Sequence, residues 1–518
     1  MKSTIPFSAV LVSACVFFAG RAAQAEVTLP AIIGSHMVLE GGVPLTIWGW
    51  ANAGEEVTVA IGDLKATAKA DAAGDWQVKL PAMPASDEPL EMTVSGTNTI
   101  KLTDILVGAV WMGSGQSNMQ WSVAASDNPD AEIAAANYPK IRLFLVPLVP
   151  AGKPAKNVNA AWTVCTPETV KPFSAVCYYF GRELHKSLNV PVGMIATSWG
   201  GTAIQPWIPP AGYEGVAELQ TERQQIEALR TGYQAALKGK LPELKNWLEG
   251  ADKAAAAGQP IGEPPAMPAN PFNSSGGLTG LYNGMIHPLA PFAIRGALWY
   301  QGEANVGQGM HYHDLMKGLI LGWRTAWSQG DFPFLFVQLA PFQYGANPQA
   351  LPELWEAQTA TLKVPNTGMA VTTDISNIHD IHPRNKQEVG RRLALWALAR
   401  SYGKGELTYT GPIYESMEVE GSRIRVRFQK PDGGLMSRDG KPLTWFSIAA
   451  ADKKFVPATA TIDGETVVVE SSAVSAPVAV RFGWHQIAEP NLASKAGLPV
   501  SPFRTDKWTD ATSAPPPQ

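Results

Sequence analysis

The 518-residue sequence predicts an α/β protein with a β-rich unit on either side of it. Three observations point there. Between about 104 and 402, apolar strand-like runs alternate with helix-periodic runs, the pattern of an α/β layer fold. On both sides of that stretch the pattern changes to short alternating runs separated by Gly, Asn and Asp turns, as in β-sandwich-type domains. The length itself asks for more than one domain.

The chain opens on a signal-peptide pattern over residues 1–25. Lys2 supplies a positive start, Phe7 to Phe18 is an apolar run, and Ala23-Gln24-Ala25 is a small-x-small cleavage site. Arg21 between the run and the site is a mild irregularity. The run is too short to span a membrane, and no later stretch is long and apolar enough. Export to the periplasm or the medium is therefore expected. Loss of residues 1–25 removes two cations and no acid, taking the formal charge of -4 to -6 and leaving no case for nucleic acid. Of the 3 cysteines, Cys15 leaves with the leader. Cys165 and Cys177 remain, and a disulfide and two buried thiols are equally open. No Cys/His cluster has zinc-site spacing.

Residues 26–103 form the first β unit, with "VPLTIWGWA", "EEVTVAIG" and "DWQVKLP" as alternating runs. The α/β part, 104–402, begins with "ILVGAVWMGSGQSN", an apolar strand running into a Gly/Ser turn. "FSAVCYYFGRELHKSL" has helical periodicity, and "VPVGMIATSWGG" is a strand ending in glycines. A polar helical stretch and a Pro-rich segment at about 211–270 interrupt the alternation. They read as an insertion, either a surface excursion or a helical hairpin beside the mouth of the site. "IRGALWYQGEAN", "FPFLFVQLAPF" and "TGMAVTTDIS" are further buried strands, and "NKQEVGRRLALWALARSYG" is an amphipathic helix with Gly403 as its cap. Residues 403–507 return to short β runs. The tail, 508–518, ends in "TSAPPPQ" and is expected to be disordered.

Four segments carry chemistry. The turn Gly113–Met119 lifts Ser117 clear of a strand end, where nearby N–H groups can face an oxyanion. Taken alone, a Gly/Ser turn is usually only a turn. Ser198-Trp199-Gly200-Gly201-Thr202 is a second strand end, with a Gly pair that allows close backbone approach. Trp299–Asn305 is a third, carrying Gln301, Glu303 and Asn305. Ligands of open α/β sheets bind at such carboxyl ends. The fourth, Asp374–Pro383, supplies His382 as a base and Asp380 as its companion. Incidental loop histidines are the bland alternative, weakened by the presence of only 8 His in the chain. The 17 Trp either fill the core or stack on sugar. Trp121, Trp199 and Trp207 lie nearest these motifs and are the stacking candidates.

"GSGQSNM", "SWGGT", "WYQGEAN" and "HPRNK…VGRRLALWA" together resemble the sialate O-acetylesterase family of SGNH-type carbohydrate esterases, and its acetylxylan esterase relatives. "LPAIIGSHMVLE" and "GLPVSPFRTD" extend the resemblance over nearly all the chain after residue 25. It implies a three-layer α/β/α catalytic domain. The activity implied is serine-dependent hydrolysis of O-acetyl esters on carbohydrate, sialic acid or acetylated hemicellulose, without metal or cofactor. It makes Ser117 the nucleophile and His382 the base. The oxyanion donors would be the Ser117 N–H, Gly201 and a side chain of "QGEAN". Aligning that motif with the SGNH Gly-x-Asn turn puts Glu303 at the Asn position, so both Gln301 and Asn305 stay open as donors. The SGNH pattern has Asp three residues before its His, where this chain has His379. Asp380 is the first candidate for the acid and Glu303 the second. A non-catalytic carbohydrate-binding protein is the rival reading. A lipase would need a broad apolar mouth, whereas these loops are rich in Trp, Gln, Asn and Thr.

Overall fold

A computed structural model describes residues 26–429 and 433–512 of the chain. The signal-peptide pattern at 1–25 lies outside the described residues. Among them, an 11-stranded mixed sheet dominates. Its central run has the order Thr367–Ala370, Phe334–Val337, Gly296–Tyr300, Thr99–Gly115, Val192–Ser198, Tyr138–Leu145, Trp162–Cys165. Every pair in the run is parallel except the last. These strands are almost wholly buried, as parallel strands covered by helices must be. Adjacent residues face opposite ways. Trp299 meets Trp323 of the helix His311–Trp327, whereas the ring of Tyr300 lies 5.0 Å from the ammonium of Lys386, on the helix Lys386–Ser401. Lys386–Ser401 packs on Ala175–Leu188 so closely that a Cβ on Gly390 would lie 2.7 Å from that of Tyr179.

The 17-residue strand Thr99–Gly115 belongs to both the N-terminal unit and this central run. Up to Asp104 exposed residues alternate with half-buried or buried ones, and from Ile105 they are all buried. Asp104 stands at the change, with a left-handed φ of 56°. Arg142 grips its carboxylate twice, at 2.7 and 3.1 Å, and His36 adds a contact at 2.6 Å. The expected boundary at 103/104 is therefore a clamped bend inside one strand, with no linker.

The segment at 211–270 is no hairpin. It is one 37-residue helix, Gln220–Ala256, with Pro242 inside it, followed by an irregular return over 257–270. Most of the helix is exposed, and Trp247 donates to the Gly262 carbonyl across the return. In the C-terminal part, two four-stranded sheets share an apolar core built on Ile424, Val426, Val467, Val469, Phe446 and Phe482. The tail is ordered further than expected. Trp508 packs on Phe455 and Lys453 pairs with Asp510, while 513–518 lie outside the described residues. Cys165 and Cys177 are free buried thiols, both pushed up to about 12 by burial.

Candidate active site

Two glycines shape the turn that carries Ser117. Gly115 ends its strand at φ 140°, and a Cβ there would fall 2.1 Å from the Tyr300 carbonyl oxygen. Only glycine lets the neighbouring strand come so near. The Gln116 N–H then donates to that carbonyl at 3.0 Å, and a single helical turn begins at Ser117. On the next strand end, the Gly200 Cβ position lies 3.2 Å from the Ser117 Cβ. Gly200 is thus the close neighbour, and its N–H is occupied by Gln120 Oε1 at 2.7 Å. Gly201 follows at φ 75° with open space around it. Among the described residues the N–H groups of Ser117 and Gly201 have no acceptor.

His382 comes to the serine from a loop 265 residues away in sequence, with Nε2 2.9 Å from Ser117 Oγ. Its ring stacks on Trp121 at 4.6 Å between centroids and 17° between planes. Asp380 shares the loop. Its Oδ1 accepts the His382 backbone N–H at 2.9 Å and lies 3.8 Å from Nδ1, within ion-pair range but too far for a hydrogen bond. The loop is anchored from below by Arg392, which holds Asp374 with two contacts of 2.7 Å. Burial pushes the His382 pKa below its ordinary value, the Lys386 charge lowers it further, and Asp380 opposes them.

Glu303 does not reach His382. It is buried behind the serine turn, where Oε1 accepts from Asn118 Nδ2 at 2.5 Å and Oε2 has no partner among the described residues. Asn118 Nδ2 also donates to the Ile381 carbonyl at 2.9 Å, and its Oδ1 takes the Lys386 ammonium at 2.5 Å. Burial raises the Glu303 pKa and lowers that of Lys386 to about 7. Asn118 and Lys386 were missed in the sequence. The first lies beside Ser117 in "GQSNM", so adjacency was the available signal. The second gave none, because a lysine opening an amphipathic helix reads as a solvated charge.

Gln301 and Asn305 are spoken for as well. Gln301 Nε2 lies 2.6 Å from Asn305 Oδ1, 3.1 Å from Gln116 Oε1 and 3.2 Å from the Thr202 carbonyl. Asn305 Nδ2 donates to Gln205 and Gln308. Both residues are buried, and these bonds use up the amide hydrogens, so neither side chain is a free donor at Ser117. They brace the "QGEAN" turn instead. The three tryptophans divide. Trp207 is fully buried against Trp299 and leaves the stacking set. Trp121 has one face covered by His382. Trp199 is half-buried, follows directly from the strand end, and its indole N–H has no acceptor among the described residues. In the same residues no three His, Cys, Asp or Glu side chains converge as metal ligands.

A serine hydroxyl at hydrogen-bond distance from an imidazole, beside two unengaged backbone N–H groups, is chemically equipped for acyl transfer. Comparisons with known proteins agree with that chemistry. Residues 266–399 match the family model described as carbohydrate esterase, sialic acid-specific acetylesterase. The chain is 30% identical over 499 residues to the sialate O-acetylesterase of Rattus norvegicus, covering 87% of this chain and 88% of the rat protein. The Homo sapiens sialate O-acetylesterase is also 30% identical, over 455 residues, covering 79% and 77%. Among solved structures, a carbohydrate acetylesterase from Xanthomonas citri is similar at 36% identity and a TM-score of 0.79, covering 93% of this chain and 100% of that one. With that identity carried along most of both chains, the protein belongs to the sialate O-acetylesterase family, carboxylic ester hydrolases that act on O-acetylated carbohydrate.

Proposed function

We propose that the protein is an exported serine esterase that removes O-acetyl groups from carbohydrate, sialic acid or acetylated hemicellulose, on a three-layer SGNH-type scaffold flanked by β-sandwich-type domains. The observation that carries the mechanism is the 2.9 Å approach of His382 Nε2 to Ser117 Oγ. In this reading His382 takes the hydroxyl proton as Ser117 attacks the acetyl carbonyl. The Ser117 and Gly201 N–H groups receive the oxyanion. His382 then gives the proton to the departing sugar oxygen, which leaves as a hydroxyl, and water repeats the cycle on the acetyl-enzyme. Asp380, at ion-pair distance, favours the imidazolium that forms. Trp199 is the aromatic surface best disposed to meet the sugar.

The test is Ser117→Ala assayed on p-nitrophenyl acetate and on acetylated sugars. Activity should fall by about 10⁴-fold or more, with the melting temperature unchanged. Retention of a tenth of the wild-type kcat would remove Ser117 from the role. Acetate release from O-acetylated sialic acid, set against release from acetylated xylan, identifies the sugar. A leader cleaved after Ala25 in protein recovered from the source cell tests export.

A further inference from the structure

Far along the chain from Ser117, the N-terminal β unit carries a second aromatic surface. In the strand Leu45–Trp50, buried and half-buried residues alternate, so Trp48 and Trp50 leave from one outward face. The strand pairs antiparallel with Asp75–Leu80, which sets Gln77 opposite Trp48 and Asp75 opposite Trp50. Gly49 lies between them, opposite Trp76. A Cβ at Gly49 would come 2.9 Å from the Trp76 ring, so the missing side chain is what lets that indole lie underneath. Lys156 and the His287–Pro291 segment of the α/β part close the other side, leaving a cleft of about 460 Å³.

The indole N–H groups distinguish this cleft from ordinary core. Tryptophans elsewhere usually donate internally, as Trp111 does to Tyr402, Trp162 to Ile32 and Trp355 to Leu339. Among the described residues, the indole N–H groups of the half-buried Trp48 and Trp50 donate to nothing. Trp76 lies on the opposite, buried face of the strand pair, 3% exposed, so its unpartnered N–H is enclosed beneath the cleft and takes no part in it. The charges around the cleft balance. Lys69 and Lys156 face Asp71 and Asp75, and Lys156 already pairs with Asp75 at 2.7 Å. Flat apolar rings, free N–H donors, an exposed amide and no net charge suit a pyranose. Its C–H face stacks on indole while its hydroxyls take the edge donors and acceptors. An anionic sugar would find no surplus cation.

We propose that this cleft is a second carbohydrate site, which binds neutral pyranose units of a glycan and holds the enzyme to the polymer that bears its acetyl groups. The probes carry no ester, so the outcome is independent of the serine mechanism. Xylohexaose, cellohexaose and 3′-sialyllactose are titrated calorimetrically into the full chain. At least one neutral hexaose should bind, and sialyllactose should bind about tenfold more weakly or not at all. Trp48→Ala and Trp50→Ala should each weaken hexaose binding by about tenfold or more, with p-nitrophenyl acetate hydrolysis within about twofold of wild type. Gln77→Ala, at an exposed position, should weaken binding severalfold and guards against a folding artefact in the tryptophan variants. The proposal is overturned if neither hexaose binds, if sialyllactose binds better, or if binding is indifferent to Trp48, Trp50 and Gln77.

Discussion

Asn118 ties together the parts of the site that titrate. One carboxamide holds the Lys386 ammonium on its oxygen, and Glu303 and the Ile381 carbonyl on its nitrogen. Ile381 precedes His382, so the same amide that meets the buried acid and base also pins the loop of the histidine. In the proposed mechanism His382 must be neutral to accept the serine proton. Its lowered pKa therefore extends activity to lower pH, and the two charges nearby should move that limit in opposite directions. On the acid limb Lys386, whose pKa is about 7, is still charged. Lys386→Met removes the cation and should shift the acid limb of kcat/KM to higher pH. Asp380→Asn removes the anion and should shift it to lower pH, with kcat reduced. A pH–rate series on p-nitrophenyl acetate reads both, and shifts in the same direction would refute the electrostatic assignment. The pairing of Ser117 with His382, which the fold brings to 2.9 Å, was legible in the sequence because few residue types suit a hydrolytic nucleophile and its base. Asn118 and Lys386 were not, since only the fold turns a polar neighbour and a helix-opening lysine into buried partners. Gln301 and Asn305 misled for the related reason that a polar strand end can be braced internally as readily as it can face a substrate.

Among the elements, the strand end at Gly115 decides whether the site exists. Its φ of 140° and the 2.1 Å approach of its Cβ position to Tyr300 leave no room for a side chain. Gly115→Ala should cost about 3 kcal/mol or more, from backbone strain and from separating two core strands. It should also disable the esterase by displacing Ser117. Urea unfolding and an acetate-release assay measure the two effects, and a variant with wild-type stability would contradict the steric account. The strands themselves were legible because buried parallel strands are unbroken apolar runs bounded by glycine. The long helix Gln220–Ala256 was legible as helix but not as a single one. Pro242 lies inside it without ending it, and local propensity carries no information about where a mostly exposed helix stops.

At the scale of the molecule, the apolar cores rather than the sequence pattern mark the units that should unfold together. One continuous core runs from Val27 through the α/β part to Tyr409. It crosses the expected boundary at 103/104, because the strand Thr99–Gly115 contributes to both sides and Arg142 locks its bend. A change of hydrophobic pattern reports a change in which faces are covered, and here that change happens within one strand. The C-terminal part has its own core from Ile424 to Phe503. Prominent links between the two are polar, such as Arg504 on Glu356 at 2.7 Å and Gln338 on Ser501 at 2.9 Å. Polar links of this kind couple two cores weakly. Calorimetry should therefore resolve two transitions, a larger one for residues 26 to about 410 and a smaller one for the C-terminal part. Val469→Ala opens a cavity in the second core, where that side chain is fully buried. It should lower the smaller transition by about 5 °C or more and leave the larger one within about a degree. Arg142→Ala strips the bend of its clamp and should lower only the larger transition, because Asp104 and His36 both belong to that unit. A single peak that moves as a whole in both variants would mean that the polar links join the two cores into one cooperative unit.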